Sequence, residues 1–356
     1  MLPSGVFSSK YASELVVLRT KTQWVLLLAV VAFLLSIPSF ASAYWLTQLT
    51  LICITVIVVL GLHILCGLCG LISIGQAGLM AVGAYTAAIL TTRYDIDGWI
   101  CLPFSALAAG LVGVLVGLPS FRLKLFYLAI STLAAQEIIL WILKYRDFWD
   151  VTGGFTGLQM EPLTLGSISF GDDGNLYILG VILAIIAAFI TVNIQRSNTG
   201  RIFVAIRDNE LAAEVAGISL FRNKLLAFFI AAAFAGVAGW LWAYSQLRVN
   251  PSQFNFGDSI FYMGMIIIGG LGNISGVFLG AFMLEFMGIL NSDYLAPYAV
   301  DNLPTRYGAT ILVAMRYILG GAGVIMFLIF VPRGMSGQLA DFKNFYRLWP
   351  YSFRGS

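Results

Sequence analysis

Apolar runs recur along the chain, each closed by charges or turn residues. A helix that crosses a bilayer needs about 20 predominantly apolar residues, rising about 1.5 Å apiece. By that measure the pattern predicts ten spans: Trp24–Phe40, Tyr44–Cys66, Ala77–Thr92, Trp99–Leu118, Leu125–Lys144, Leu176–Gln195, Asn223–Leu247, Ser259–Gly270, Ser275–Leu290 and Gly308–Val331. Ser259–Gly270 is short for a crossing and is expected to be tilted, broken or re-entrant. The predicted fold is all-α, a polytopic membrane protein of about ten transmembrane helices with cytoplasmic N- and C-termini. Its parts are a cytoplasmic N-terminal segment at 1–23, a transmembrane domain at 24–331 and a cytoplasmic tail at 332–356. A long cytoplasmic loop is expected at 196–222.

Charge placement tests this count, because cytoplasmic loops collect Lys and Arg. With the N-terminus inside, the cytoplasmic segments hold Arg19, Lys21, Arg122, Lys124, Arg196, Arg201, Arg207, Arg222, Lys224 and the basic residues of the tail. The outer segments hold only Arg93, Lys144, Arg146, Arg248 and Arg306. A missed span would mix the two sets. Arg19 and Lys21, an apolar run and then Ala41-Ser42-Ala43 also fit a cleaved signal peptide; a retained first helix is the preferred reading.

Composition narrows the classes. The chain is 60% hydrophobic and 10% charged, against about 45–50% and about 25% in soluble domains. With a mean hydropathy of +0.91, this excludes a cytosolic enzyme, a disordered regulator and a nucleic-acid binder, and makes the lipid bilayer the solvent. The four cysteines all lie in apolar stretches, so no disulfide framework is implied.

No catalytic constellation stands out, and no cofactor or metal is expected. The single histidine, His63, has no Asp or Glu at metal-ligand spacing. Cys66-x-x-Cys69 lacks the second pair that a tetrahedral zinc site needs. No lysine follows a glycine, so the phosphate loop GxxxxGK[ST] is absent. ATP-driven work would need another polypeptide. Three charges fall within spans: Glu137, Glu285 and Arg316. A buried charge of this kind is expensive and faces a polar interior or a partner. Glu285 and Arg316 stand at similar depth in consecutive spans, so an intramembrane ion pair is expected. Glu137 follows Ser131, Thr132 and Gln136 along a polar stripe, which makes it a candidate to line a translocation path; a helix-packing role is the equal alternative.

The 196–222 loop is the most informative segment. Asp208 or Asn209 can cap a short helix, Glu210 complements its positive end, and Gly217 supplies a stop. The helix Glu210–Ala216 is Ala-rich and too short to be stable alone. It makes sense if a partner protein grips it; a plain solvated connector is the bland alternative. Gly117, Phe121, Arg122, Lys124, Leu125 and Ile130 recur as Gly217, Phe221, Arg222, Lys224, Leu225 and Ile230. A true duplication and shared demands of entering a helix from the cytoplasm both explain this echo.

The chain resembles the branched-chain amino acid ABC permeases. The stretch GLHILCGLCGLISIGQAGLMAVGAYTAAIL (Gly61–Leu90) is similar to the family signature. GLPSFRLKLFYLAISTLAAQEI (Gly117–Ile138), TGGFTGL (Thr152–Leu158) and the segments Gly200–Gly239 and Pro251–Ala281 follow in the family's order. The likeness is to the LivM-type subunit. It implies an import complex in the inner membrane, with a second permease subunit, two ATP-binding subunits and a periplasmic substrate-binding protein. It also implies that Arg207, Asp208, Glu210, Ala213, Glu214 and Gly217 belong to a coupling helix seated in an ATPase cleft. Alternating access would then carry the substrate. His63 and Gln76 depart from the family's usual Asn and His. With Ser73, Thr132, Gln136 and Glu137 they make up the candidate path. A same-family permease for urea or another small polar solute, and a stand-alone secondary transporter, are the alternative readings.

Overall fold

Inside a bilayer every backbone N–H and C=O must be satisfied within the chain, which leaves the helix as the solution for long apolar runs. The computed structural model describes residues 21–123, 126–165, 168–295, 318, 320–327, 329–331 and 334–348, and helices dominate them. In chain order they are α1 (Lys21–Ser36), α2 (Ala43–Leu62), α3 (Gln76–Tyr94), α4 (Gly98–Gly117), α5 (Phe126–Lys144), the short α6 (Trp149–Thr152) and α7 (Asp173–Arg196). They continue as α8 (Asn198–Asp208), α9 (Glu210–Val215), α10 (Leu220–Gln246), α11 (Phe256–Gly269), α12 (Ile274–Leu290) and α13 (Gly334–Leu348). Two antiparallel pairs of two-residue strands complete the set, β1 (Leu158–Gln159) with β4 (Arg248–Val249) and β2 (Thr164–Leu165) with β3 (Ile168–Ser169).

Among the described residues, six helical stretches are long and apolar enough to cross a membrane: Ala43–Leu68, Gly98–Ser120, Phe126–Lys144, Asp173–Arg196, Leu220–Gln246 and Ile274–Tyr294. Each overlaps a predicted span. The remaining predicted spans differ for physical reasons. The apolar stretch Trp24–Ser39 is shorter than a full crossing. The 19 residues of α3 include Gln76, Arg93 and three threonines, so it is long enough but less apolar. At 14 residues, α11 is the short helix expected at Ser259–Gly270. Half of Gly308–Val331, including all of 308–317, lies outside the described residues, although 320–327 is helical.

At the centre of the bundle, α10 packs against α4, α3 and α2. Its buried face is built from Ala227, Ala231, Ala235, Ala238 and Gly239. Small residues let helix backbones approach closely. A Cβ at Gly239 would lie 2.1 Å from the Met80 carbonyl oxygen, so no larger residue fits. Trp240 donates its indole N–H to the Gly98 carbonyl at 2.9 Å, which joins α10 to the start of α4.

Two features break the expected pattern. The helix predicted over Tyr44–Cys66 ends in a π-helical turn at His63–Leu68, followed by a non-helical stretch at 69–75 before α3. The tail expected at 332–356 contains α13, which packs on the α11–α12 hairpin. The repeated glycines also differ. Gly117 ends α4 at φ −77, whereas Gly217 turns the chain at φ +84.

Candidate functional site

The segment between α7 and α10 forms a compact cap on one end of the bundle. Ser197 Oγ accepts from the Gly200 N–H at 3.3 Å and starts α8. Asn209 Oδ1 accepts from the Ala212 N–H at 3.1 Å and starts α9. At the other end of α9, Ile218 N–H donates to the Ala213 carbonyl at 3.0 Å and Gly217 N–H to the Glu214 carbonyl at 2.9 Å. This pair is the Schellman closure, and it requires the left-handed conformation that Gly217 supplies. Six helical residues are thus held at both ends, which isolated peptides of this length are not.

Two charged contacts seat this cap on the bundle. Lys224 Nζ, buried at the start of α10, donates to Glu210 Oε1 at 2.9 Å. Arg207 Nη1 donates to the Gly67 carbonyl in the π-helical turn at 2.8 Å. The rest of its guanidinium holds Asp208 Oδ1 at 3.0 and 3.1 Å. Arg207 lies so close over the break that a Cβ at Gly70, itself at φ +74, would stand 2.7 Å from Arg207 Cγ.

The residues of α9 divide between its two faces. Ala213, one of the expected coupling-helix residues, is only 4% exposed and packs inward. Leu211 and Val215, one turn apart, are 75% and 91% exposed. Glu214 is exposed beside them. The sequence signal for this pair was its i, i+4 spacing beside an Ala-rich core-facing strip.

A second group of polar residues sits inside the bundle, where the 69–75 break meets α3, α5, α10 and α11. Thr132 Oγ1 accepts from the Ile74 N–H at 3.0 Å and donates to the Ala129 carbonyl at 2.9 Å. Ser259 Oγ accepts from the Ala77 N–H at 2.9 Å and donates to Gln136 Oε1 at 2.7 Å. Gln76 Nε2 donates to the Ala231 carbonyl at 3.1 Å. Side chains from α5 and α11 therefore satisfy backbone groups that the broken helix leaves open. Ser73 Oγ, Gln76 Oε1, Gln136 Nε2 and both ring nitrogens of His63 are buried with no hydrogen-bond partner among the described residues.

The candidate path residues thus divide. Ser73, Gln76, Thr132 and Gln136 gather around the break, joined by Ser259, which sequence reasoning missed. His63 stands apart in the π-helical turn, its ring over Gly67. Glu137 is not in the cluster: it lies on the exposed face of α5 with Ile130, Ala134, Ile138 and Trp141. Glu285 accepts from Thr55 Oγ1 at 2.9 Å. Its expected partner Arg316 lies outside the described residues. Cys66 Sγ donates to the Leu71 carbonyl at 3.0 Å, a structural use of that thiol. Among the described residues no group of three His, Cys, Asp or Glu side chains could hold a metal.

Comparison with known proteins bears on this geometry. The family described as branched-chain amino acid transport system / permease component matches residues 44–328. The high-affinity branched-chain amino acid transport system permease protein LivM of Escherichia coli K12 is 33% identical over 299 residues, which is 77% of this chain and 70% of that protein. The protein of the same description from Salmonella typhimurium LT2 is also 33% identical, with the same coverage. A probable branched-chain amino acid transport permease protein LivM of Methanocaldococcus jannaschii is 28% identical over 262 residues, 70% of this chain and 73% of its own length. No solved structure matches the chain.

Proposed function

The chain belongs to the branched-chain amino acid transport permease family, and on that premise we propose that it is the LivM-like membrane subunit of an ABC importer of branched-chain amino acids. A second permease subunit completes the membrane part, two ATP-binding subunits drive it, and a periplasmic protein delivers the substrate. Both termini and the α8–α9 cap face the cytoplasm of the inner membrane. The chain itself is a transport subunit, and ATP hydrolysis belongs to its partners.

The observation that carries this reading is the α9 cap. A short helix held at both ends presents Leu211 and Val215 outward, and its underside is fixed to the bundle through Lys224 and Arg207. A push on α9 is thereby passed to the π-helical turn, the 69–75 break and the polar side chains of α5 and α11. Alternating access needs such an element with two packings close in energy. The exposed Glu137 supports a role for the outer face of α5. A carboxylate facing lipid near the bilayer centre costs about 2.5–3.5 kcal/mol, so this face lines the path or meets the second permease.

The test is uptake by proteoliposomes holding the assembled complex and its delivery protein. ATP-dependent accumulation of L-leucine, L-isoleucine and L-valine, with no competition from urea, is expected. Uptake without ATP-binding subunits would overturn the importer reading.

A further inference from the structure

The helical residues 320–327 and 329–330 finish with Ile329 and Phe330, both largely exposed and apolar. The Val331 carbonyl then accepts from the Gly334 N–H at 2.8 Å, and Gly334, at φ +69, turns the chain into α13. This turn is wedged against the α11–α12 hairpin, since a Cβ at Gly334 would run into Gly270. Gln195 Nε2, in the last turn of α7, donates to the Gly272 carbonyl of the same hairpin at 3.5 Å. The hairpin turn and the start of α13 therefore stand at the α9-cap end of the bundle.

The faces of α13 differ. Gly334 and Ser336 are buried where α13 packs on α11 and α12. Leu339 and Phe342, three positions apart and so on one side of the helix, are 52% and 63% exposed. Lys343 and Arg347 follow in the sequence at one-turn spacing, and residues 332–356 hold four basic residues against one acidic. At 15 residues α13 is too short to cross a bilayer. From Gly334 to Phe342 the helix rises only about 12 Å, and Gly334 is tied to the end of the preceding helix. The apolar ridge thus stays close to the membrane boundary. An exposed apolar ridge beside basic residues, held at that boundary, is the pattern of a helix lying in the headgroup layer.

We propose that α13 is an interfacial anchor: Leu339 and Phe342 enter the leaflet on the α9-cap side, and Lys343 and Arg347 bind the phosphates of anionic lipid headgroups. The membrane surface then holds the start of α13 against Gly270, at the end of α11. That helix carries Ser259 into the polar cluster. The proposal depends on no particular substrate.

A nitroxide on Leu339→Cys, in the assembled complex with its other cysteines replaced, reports the surroundings of the ridge. The complex is reconstituted in phosphatidylcholine vesicles with and without about 30 mol% phosphatidylglycerol. Oxygen, which concentrates in lipid, should relax the label more than a water-soluble nickel chelate does, and more so in the anionic vesicles. Each basic residue near an anionic surface strengthens binding by about fivefold. Lys343→Gln and Arg347→Gln together should therefore weaken surface association by more than about tenfold and move the label toward the chelate, with the thermal midpoint of the complex unchanged. A label open to the chelate in both vesicles overturns the proposal. So does an oxygen preference that is the same in both vesicles and in the double variant. A label shielded from oxygen and chelate alike means that a protein, such as an ATP-binding subunit, covers the ridge, and this also overturns it.

Discussion

The α9 cap and the interior around the 69–75 break treat polar groups in opposite ways. In the cap, helix ends are closed, Lys224 has Glu210, and Arg207 has both Asp208 and Gly67. Among the side chains it leaves exposed are two large apolar ones, Leu211 and Val215. In the interior, Ser73, Gln76, Gln136 and His63 keep buried polar atoms without partners among the described residues. A fully satisfied network is stiff, whereas an unpaired buried polar group is costly to keep and gains from rearrangement. On the proposed function, the cap transmits a stroke and the interior rearranges under it.

The largest effect is expected where the two regions touch. Gly70→Val forces a β-branched residue into φ +74 and into Arg207. Strain and overpacking together reach about 2–5 kcal/mol. L-leucine uptake should fall by more than about tenfold while the ATP-binding subunits still co-purify, because the outer face of α9 is untouched. Normal uptake would show that the seat of Arg207 is unimportant. Next is an asymmetry within the cap. Glu210→Gln leaves the buried Lys224 ammonium without its carboxylate and should cost about 1–3 kcal/mol. Lys224→Met leaves only the part-exposed Glu210, which water can reach, and should cost less than about 1 kcal/mol. Thermal unfolding of the two variants in detergent measures the difference, and equal costs would contradict the burial of Lys224.

The smallest effect is expected inside the break. Ser73→Ala removes a polar atom that has no partner among the described residues, so stability should change by less than about 0.5 kcal/mol or rise. Ser259→Ala, by contrast, exposes the Ala77 N–H and should cost about 1–3 kcal/mol. A Ser73 variant as damaged as the Ser259 variant would mean that Ser73 already has a partner, and the contrast between the regions would weaken.

Much of this architecture was legible in the sequence, because long apolar runs between charges leave few alternatives to a helix. The predicted Leu125–Lys144 and Ser275–Leu290 differ from α5 and α12 by a residue or so at one end. The α9 caps were legible too, since Asn209 and Gly217 carry their own stereochemistry. The break was not. His63–Leu68 continues the apolar run of the helix before it, and groups far along the chain hold the irregular backbone, Arg207 at Gly67 in the turn and Thr132 at Ile74 in the break. Helix phase was equally hidden. Gln136 and Glu137 are neighbours, yet one is buried in the cluster and the other exposed. α5 is apolar around most of its circumference, so its sequence does not mark the inner face. The ion pair of Glu285 with Arg316 remains a proposal, since Arg316 lies outside the described residues.

The transmitting role of α9 is tested most directly by charging its outward face. Leu211→Asp and Val215→Asp, made together, change only exposed side chains, so the stability of the permease should stay within about 0.5 kcal/mol per site. The measurement is L-leucine uptake with co-purification of the ATP-binding subunits. A gripping contact predicts loss of those subunits and uptake lower by more than about tenfold. Wild-type uptake with the subunits still bound would contradict it, and α9 would be a connector.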